Sequence, residues 1–393
     1  MDLITLSEIG RGVQRRLTPD QANLLADSGI VRVSSVRGAS DMWQVQARNS
    51  VGSVRVGAFE IHISPKIPVK RIFFLLGYAA SRAHWRVDTI PLPEAEDLVP
   101  AFAQPLWRQS MQALRLGILQ GYREQNVVST VLRGRLRETD QLYRHCGLQL
   151  PLQIRYDDFT VDIVENQILR TALGRMLNVP RVDDESRRMI QHLLGKLAGI
   201  TPLSRGTLAP VWTPSRLNAR YHAALRLAEL VLRATSVEHG PGGVAVNGFL
   251  VDMEDVFEDF VRVALTEELT QAQVRCQPKR TYHLDETRRL KLTPDLVWER
   301  EGRPIAVVDA KYKPERQSRG GGPSEDLYQI LAYCTILGLR SGHLVYAKGH
   351  GEPTRYVVCR AGIEIMCHAL DLDQSPKSLM AQIQVIAAAI AAT

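Results

Sequence analysis

The sequence predicts a multidomain chain of mixed α/β class. It reads as a small β-rich N-terminal domain, a helical middle region and a C-terminal domain with a central mixed sheet flanked by helices. Three observations carry this. Over residues 30–67 short stretches alternate apolar and polar side chains, the period of half-buried strands. From Val69 the apolar period becomes helical and stays so through most of the middle. After the loop EHGPGGVAVNG, a helix, two strands, a helix and further strands follow one another, the order of a layered α/β domain. The boundaries drawn are 1–70, 71–245 and 246–393, with the loop at 238–248 marking the last of them.

The elements follow in order. LTPDQANLLADSG predicts a helix, with Thr18 as cap, Pro19 in the first turn, Gln21 as capping-box partner and Gly29 as the stop. IVRVSSVRG, MWQVQARN, SVRVGAFE and IHISPKI read as strands of a small meander or barrel, with turns near Arg37 and Gly38 and near Arg48 and Asn49. IFFLLGYAASRAHW and most of PAFAQPLWRQSMQALRLGILQGY read as helices, with the acidic loop PLPEAEDLVP between them. VVSTVLRGRL is strand-like. VENQILRTALGRML, SRRMIQHLLGKL and LNARYHAALRLAELVLR are helical again. The last part opens with the helix MEDVFEDFVRVALTEELTQ. Two strands, the loop RQSRGGGPSED, the helix DLYQILAYCTILG, the strands HLVYAKG and RYVVCRAG, and a terminal helix follow.

Composition narrows the function classes. The chain has 393 residues, 45% hydrophobic and 23% charged, enough for several real cores. A formal charge of +7 is compatible with a polyanion partner and does not by itself establish one. The five cysteines form no CxxC pair, which argues against a zinc knuckle or disulfide framework. The start, MDLITLSEIG, lacks a signal-peptide core, and no segment reaches the ~20 apolar residues of a membrane span. The expectation is a cytoplasmic protein with reduced thiols and no membrane association.

The chemistry concentrates in LTPDLVWEREGRPIAVVDAKYK, residues 292–313. It reads as a hairpin turning near Gly302, and Asp295 and Asp309 lie equally far from that turn. Such a register sets the two carboxylates opposite one another, with β-carbons about 5 Å apart. Like charges so placed repel unless a cation bridges them, and converging carboxylate oxygens are what Mg²⁺ takes. Residues two apart on a strand share a face, so Lys311 stands beside Asp309. Its ammonium can hold a water or offset charge on a phosphate. Glu258, at the edge of the apolar stripe of the preceding helix, is a candidate third acid, and Glu254 one turn earlier can substitute for it. Gln329 and Tyr333, four apart, share a helix face and can orient a phosphate or a water.

The order Glu258, Pro294-Asp295, Asp309-Ala310-Lys311, Gln329-x-x-x-Tyr333 resembles the PD-(D/E)XK nuclease superfamily with a RecB-like helix. Over nearly its whole length the chain resembles the McrC family, the nuclease subunit of McrBC modification-dependent restriction systems. The matching stretches include IHISPKIPVKRIFFLLGY, VLRGRL, DDFTVDIVENQILRTAL, LNARYHAALRLAELVL, MEDVFEDFV, LTPDLVW, VVDAKYK and DLYQILAY. The resemblance implies a C-terminal endonuclease domain, with Asp295, Asp309, Glu258 and the Ala310 carbonyl as metal ligands and Lys311 as the catalytic lysine. It implies Mg²⁺, with Mn²⁺ as a substitute. It also implies that the N-terminal domain docks on a McrB-like AAA+ GTPase hexamer and stimulates its GTP hydrolysis, while that partner recognises DNA, usually with methylated cytosine.

Other features agree with this division of labour. There is no GxxxxGK[ST], so no GTP site is expected in this chain. No tight cysteine cluster is present, so no iron–sulfur cluster is expected. Lys313, Arg316 and Arg319 are expected to contact the DNA backbone. A second copy is needed for double-strand cleavage. Turn residues Arg37, Asp41, Arg48 and Asn49 are candidate partner contacts. Two alternatives stand beside this reading: a catalytically weak activator of the AAA+ partner, and a stand-alone RecB-like nuclease.

Overall fold

The computed structural model describes all residues except 1, 9, 11, 40, 81–96, 146–149, 205–208, 235–245, 271–274, 279, 301, 315–324, 349–352 and 393. In chain order the elements begin with β1 (Asp2–Ser7), β2 (Val13–Arg16), α1 (Pro19–Asp27), β3 (Val31–Ser35), β4 (Met42–Ala47), β5 (Ser50–Val56), β6 (Phe59–Ser64) and α2 (Val69–Ala80). Next come α3 (Leu98–Leu114), β7 (Gly121–Ser129), β8 (Arg135–Leu136), α4 (Glu138–His145), β9 (Leu152–Thr160), α5 (Val164–Leu177), α6 (Asp184–Lys196) and α7 (His222–Ala234). The last third holds β10 (Val246–Asp252), α8 (Met253–Thr270), β11 (Arg275–Pro278), β12 (Tyr282–His283), β13 (Lys291–Leu292), β14 (Leu296–Arg300), β15 (Arg303–Pro314), α9 (Glu325–Leu337), β16 (Ser341–Lys348), β17 (Thr354–Val357), β18 (Glu364–Ala369) and α10 (Pro376–Ala391). This is a mixed α/β chain with several sheets. Contacts divide it into two compact units: residues 1–52, 58–98 and 250–393, and residues 53–57 and 99–249.

In the first unit the N-terminal residues build small sheets. The capping box forms as expected, with Thr18 N–H on Gln21 Oε1 at 3.0 Å and Gln21 N–H on Thr18 Oγ1 at 3.3 Å. β4 pairs antiparallel with both β2 and β3. β1 pairs parallel with β6, which a meander alone would not give; the expectation was a small meander or barrel. β1 and β2 were not anticipated: β1 alternates only over the short stretch with buried Ile4 and Leu6, and β2 is polar and largely exposed. The same unit holds a six-stranded mixed sheet, ordered β11-β14-β15-β16-β18-β17. β14 is antiparallel to β15, while β15, β16 and β18 run parallel. β18, absent from the sequence reading, lies between β16 and β17.

Helices cover both faces of this sheet. Val297, Val307, Leu344, Tyr346, Ile365 and Cys367 form one core with Ile330, Tyr333 and Cys334 of α9. Because side chains alternate along a strand, Ala310 and Tyr312 face the other way. There the Phe257 ring of α8 lies 5.9 Å from the Tyr312 ring. α8 also packs on α2, with the Phe260 ring 5.7 Å from Phe74 and 5.4 Å from Tyr78. The turn before β5 is held by α8 too. Asn49 carbonyl accepts the Met253 N–H at 2.9 Å, and its side-chain amide donates to Glu254 Oε2 at 2.7 Å.

The second unit packs α5 against α6 and α7. Ile168, Leu169, Ala172, Leu173 and Met176 of α5 are all buried. This region is less helical than its sequence suggests. α3 ends at Leu114, short of the helical stretch expected; β7, which pairs with β9 along its full length, begins before the stretch read as strand-like, whose two ends lie in β7 and β8. Exposure alternates along β7, so both its faces are at least partly open to solvent and no apolar stripe betrays it. The loop at 238–248 lies largely outside the described residues. Among the described residues no helix is long and apolar enough to cross a membrane.

Candidate active site

The hairpin of β14 and β15 decides which side chains meet. Arg300 pairs with Arg303 around the turn that contains Gly302, whose φ is +78°. Glu299 pairs with Pro304, but Trp298 pairs with Ala306, so Ile305 is an extra residue in β15. This bulge matters because a one-residue slip sends every side chain to the opposite face. Beyond it Leu296 pairs with Val308, and the same register continued by one step sets Asp295 opposite Asp309.

Both carboxylates are buried, Asp295 at 7% exposure and Asp309 at 2%. Asp295 Oδ2 accepts the Ala310 backbone N–H at 2.8 Å, which locks it against the neighbouring strand. Asp309 Oδ2 is fully buried and accepts no directed hydrogen bond. The Lys311 ammonium lies 2.7 Å from that oxygen, meeting it as a charge off the hydrogen-bonding direction. Burial, with the Asp295 carboxylate beside it, pushes the Asp309 carboxyl up to about 6, against the pull of Lys311. Burial works to depress the Lys311 ammonium, yet Asp309, Asp295 and Asp326 outweigh it and hold the lysine charged.

Asp326 is the residue that sequence reasoning missed. It sits in the first turn of α9, buried, accepting from Lys313 Nζ at 2.8 Å and from the Tyr346 hydroxyl at 3.0 Å. Its negative charge also reaches Asp309 and Lys311. From sequence, Glu325 and Asp326 read as acids that complement a helix N-terminus. The signal that could have found it is Lys313, which continues the Asp309, Lys311 face and needs an anion. Three carboxylates, Asp295, Asp309 and Asp326, then stand against two ammonium groups, Lys311 and Lys313, leaving one negative charge when all are ionised.

The remaining sequence candidates fall as follows. Gln329 Nε2 donates to the Tyr333 hydroxyl at 2.8 Å, and that hydroxyl donates to the Thr293 carbonyl at 3.4 Å. Burial and the Asp309 charge push the Tyr333 phenol up to about 12, so it stays a donor. Lys313 is half-exposed but held by Asp326. Glu258 is half-buried on α8, the helix on the far face of the sheet, and Glu254 is engaged with Asn49. Arg316 and Arg319 lie outside the described residues.

Among the described residues, no three His, Cys, Asp or Glu groups converge as a metal centre. What is present is a pair of adjacent carboxylates, with one buried oxygen, Asp309 Oδ2, met only by the Lys311 ammonium, and a net negative surrounding. That donor set suits Mg²⁺, which commonly takes one or two carboxylates and keeps several waters. A separate polar cleft of about 820 Å³ is lined by Arg133, Arg135, Glu138 and neighbours in the second unit. Its arginines are largely spent on local acids, as Arg155 is on Glu124 at 3.4 Å.

Residues 45–347 match the family described as McrBC 5-methylcytosine restriction system component. The chain belongs to this family. Among curated proteins none matches it. Two solved structures of similar chains come from Thermococcus gammatolerans. One is a refined half-complex from a tetradecameric assembly of McrB AAA+ hexamers with bound McrC, similar at 18% identity and a TM-score of 0.59, over 99% of this chain and 100% of that one. The other is the McrBC complex, at 19% identity and a TM-score of 0.38, over 68% of this chain and 88% of that one. For this McrBC-family chain the first likeness speaks to the fold from end to end.

Proposed function

We propose that the chain is the endonuclease subunit of a McrBC-type modification-dependent restriction system. On this reading its first unit contains a PD-(D/E)XK nuclease core, and it cleaves DNA phosphodiesters when assembled with a McrB-like AAA+ GTPase, whose GTP hydrolysis it stimulates. One observation carries the reading: two buried aspartates from facing strands share a face with a charged lysine. A fold that only needed a stable sheet would not bury that pair, because each ion loses its hydration and each repels the other.

The residues divide the work. Asp295 and Asp309, with the Ala310 carbonyl, would hold Mg²⁺ or Mn²⁺. The bound ion would supply a Lewis acid for the phosphodiester. Lys311 places its ammonium where negative charge grows on the phosphate. The Gln329 and Tyr333 pair, fixed to Thr293, presents an amide and a phenol to the same face. Lys313 contributes a cation at the outer edge, held by Asp326 at 2.8 Å, and the Asp326 charge helps to keep Lys311 protonated. Family membership and the fold shared with an McrB–McrC assembly support a partner that brings the DNA. Double-strand cleavage then requires a second copy of this chain.

The test is plasmid cleavage with Mg²⁺, GTP and a McrB-type partner, following GTP hydrolysis in the same tube. Asp309→Ala is expected to reduce cleavage to background and leave stimulation of GTP hydrolysis intact. Wild-type protein that stimulates hydrolysis but never cuts would make the chain an activator and remove the catalytic assignment. Glu258→Gln belongs in the same series: retained cleavage removes Glu258 from the metal ligands.

A further inference from the structure

The strand that carries Asp309 and Lys311 loses its regular pairing with β14 at the site. Its ladder with β14 ends at Val308, and its ladder with β16 shifts register between Lys311 and Pro314. Residues 309–311 therefore keep a regular ladder on the β16 side alone, tied on the other side by the Ala310 N–H on Asp295 Oδ2, and the next residue, Tyr312, follows the last regular pair. Tyr312 is nevertheless only 7% exposed. What holds it is a pair of residues from the N-terminal part of the same unit.

The Lys66 ammonium lies 3.6 Å from the centroid of the Tyr312 ring. Such a contact, partly desolvated, attracts through the ring quadrupole. Glu8 Oε2 accepts the Lys66 backbone N–H at 2.9 Å, fixing the loop that presents the ammonium. Burial, and after it the nearby Glu8 carboxylate, pushes the Tyr312 phenol up, and its buried hydroxyl makes no directed hydrogen bond. Phe257 closes the other side of the ring at 5.9 Å. A carboxylate and an ammonium brought to the far face of a strand are an expensive way to fill a core if packing were the only task. Their position, one residue beyond Lys311, gives them a second one.

We propose that Tyr312 is a positioning residue, clamped by Lys66 and Glu8, which fixes the strand end that presents Lys311 and Asp309 for cleavage. This rests on the nuclease reading above. The clamp makes residues near the start of the chain a condition for geometry at the carboxylates. A small shift of the strand end is costly, since misplacement by about 1 Å can lower a rate about a hundredfold.

The experiment uses the full-length chain with its McrB-type partner, and compares Lys66→Met, Lys66→Arg, Glu8→Gln and Tyr312→Phe with wild type and Asp309→Asn. Readouts are the cleavage rate at saturating DNA, the DNA concentration for half-maximal rate, GTPase stimulation and melting temperature. Lys66→Met and Glu8→Gln are expected to lower the saturated rate about tenfold or more, with half-saturation and GTPase stimulation unchanged. Lys66→Arg, which keeps a cation over the ring, is expected to stay within about twofold of wild type. Tyr312→Phe keeps the ring and isolates the contribution of Glu8. Wild-type rates in Lys66→Met and Glu8→Gln overturn the proposal. So does a parallel fall in GTPase stimulation, which makes the clamp a docking contact, or an equal loss in Lys66→Arg with a lowered melting temperature, which makes it packing alone. If wild type does not cut while Asp309→Asn behaves identically, the nuclease reading fails first and the clamp falls with it.

Discussion

At the scale of single residues, the carboxylate pair makes a claim about stability that needs no DNA. The Asp309 carboxyl ordinarily titrates near 3.8 but is pushed up to about 6 in the folded chain by burial and by Asp295. Between those values the folded state binds more protons than the unfolded state. Stability contributed by this group is therefore present below about pH 4 and lost as pH rises through about 6, on the order of 3 kcal/mol in all. Other buried acids, Glu8 among them, slope the same way. The comparison that isolates the site is wild type against Asp309→Asn, melted in chelator from about pH 4 to about pH 7. Wild type should lose more stability over that range, and the variant should be the more stable of the two at neutral pH. Adding Mg²⁺ at neutral pH should raise the wild-type melting temperature and leave the variant's unchanged, because only a site that binds the ion gains from it. Parallel pH curves and no response to Mg²⁺ would count against a metal between the aspartates.

At the scale of elements, local chemistry was legible where the chain signals to itself. The α1 capping box, the helical stripe of α8 and the Gln329 and Tyr333 spacing are all contained within one turn or two, and each forms as written. The facing of Asp295 and Asp309 was also readable, although by a simpler route than the real one. Equal distance from Gly302 finds the pair, but the two-sided register depends on the Ile305 bulge, which no periodicity marks. What stayed hidden is what depends on distant partners. β18 and β11 exist because other strands pair with them, and Asp326 is buried because Lys313 and Tyr346 reach it. Gly342 is a further example. A β-carbon there would sit 2.7 Å from Cys334 Sγ and 2.8 Å from Ile330 Cγ1, so β16 approaches α9 too closely for any side chain. Gly342→Ala should push α9 off the sheet, with a cost of about 1–3 kcal/mol from overpacking. Since α9 carries Gln329, Tyr333 and Asp326, the variant should lose cleavage beyond its loss of stability. Melting temperature and residual activity measured well below that temperature separate the two effects.

At the scale of the whole molecule, the sequence divides the chain into a docking domain, a helical region and a nuclease domain, whereas contacts join most of the first, the start of the second with α2, and the last into one compact unit. The junction is a real core. Phe260 is fully buried on α8 with Phe74 and Tyr78 of α2 around it, and the Tyr78 hydroxyl donates to Glu267. Arg71 Nε reaches the Leu372 carbonyl at 3.0 Å, and Asn49 holds the start of α8. Taking α2 away would expose several large side chains, each contributing about 1.5–3 kcal/mol by its burial. That total is comparable with the ~5–15 kcal/mol that usually separates a folded domain from its unfolded chain. α2 and α8 should therefore open together. Native-state hydrogen exchange on the full-length chain checks this directly, because segments of one cooperative unit share one opening free energy. Equal protection of the slowest amides in α2 and α8 is the expected result, and a fragment of residues 246–393 should then bind a hydrophobic dye and lack a sharp melting transition. If α2 exchanges far faster than α8, the N-terminal part opens on its own. The Lys66 and Glu8 clamp could not then hold Tyr312 steady, because it would come and go with that opening.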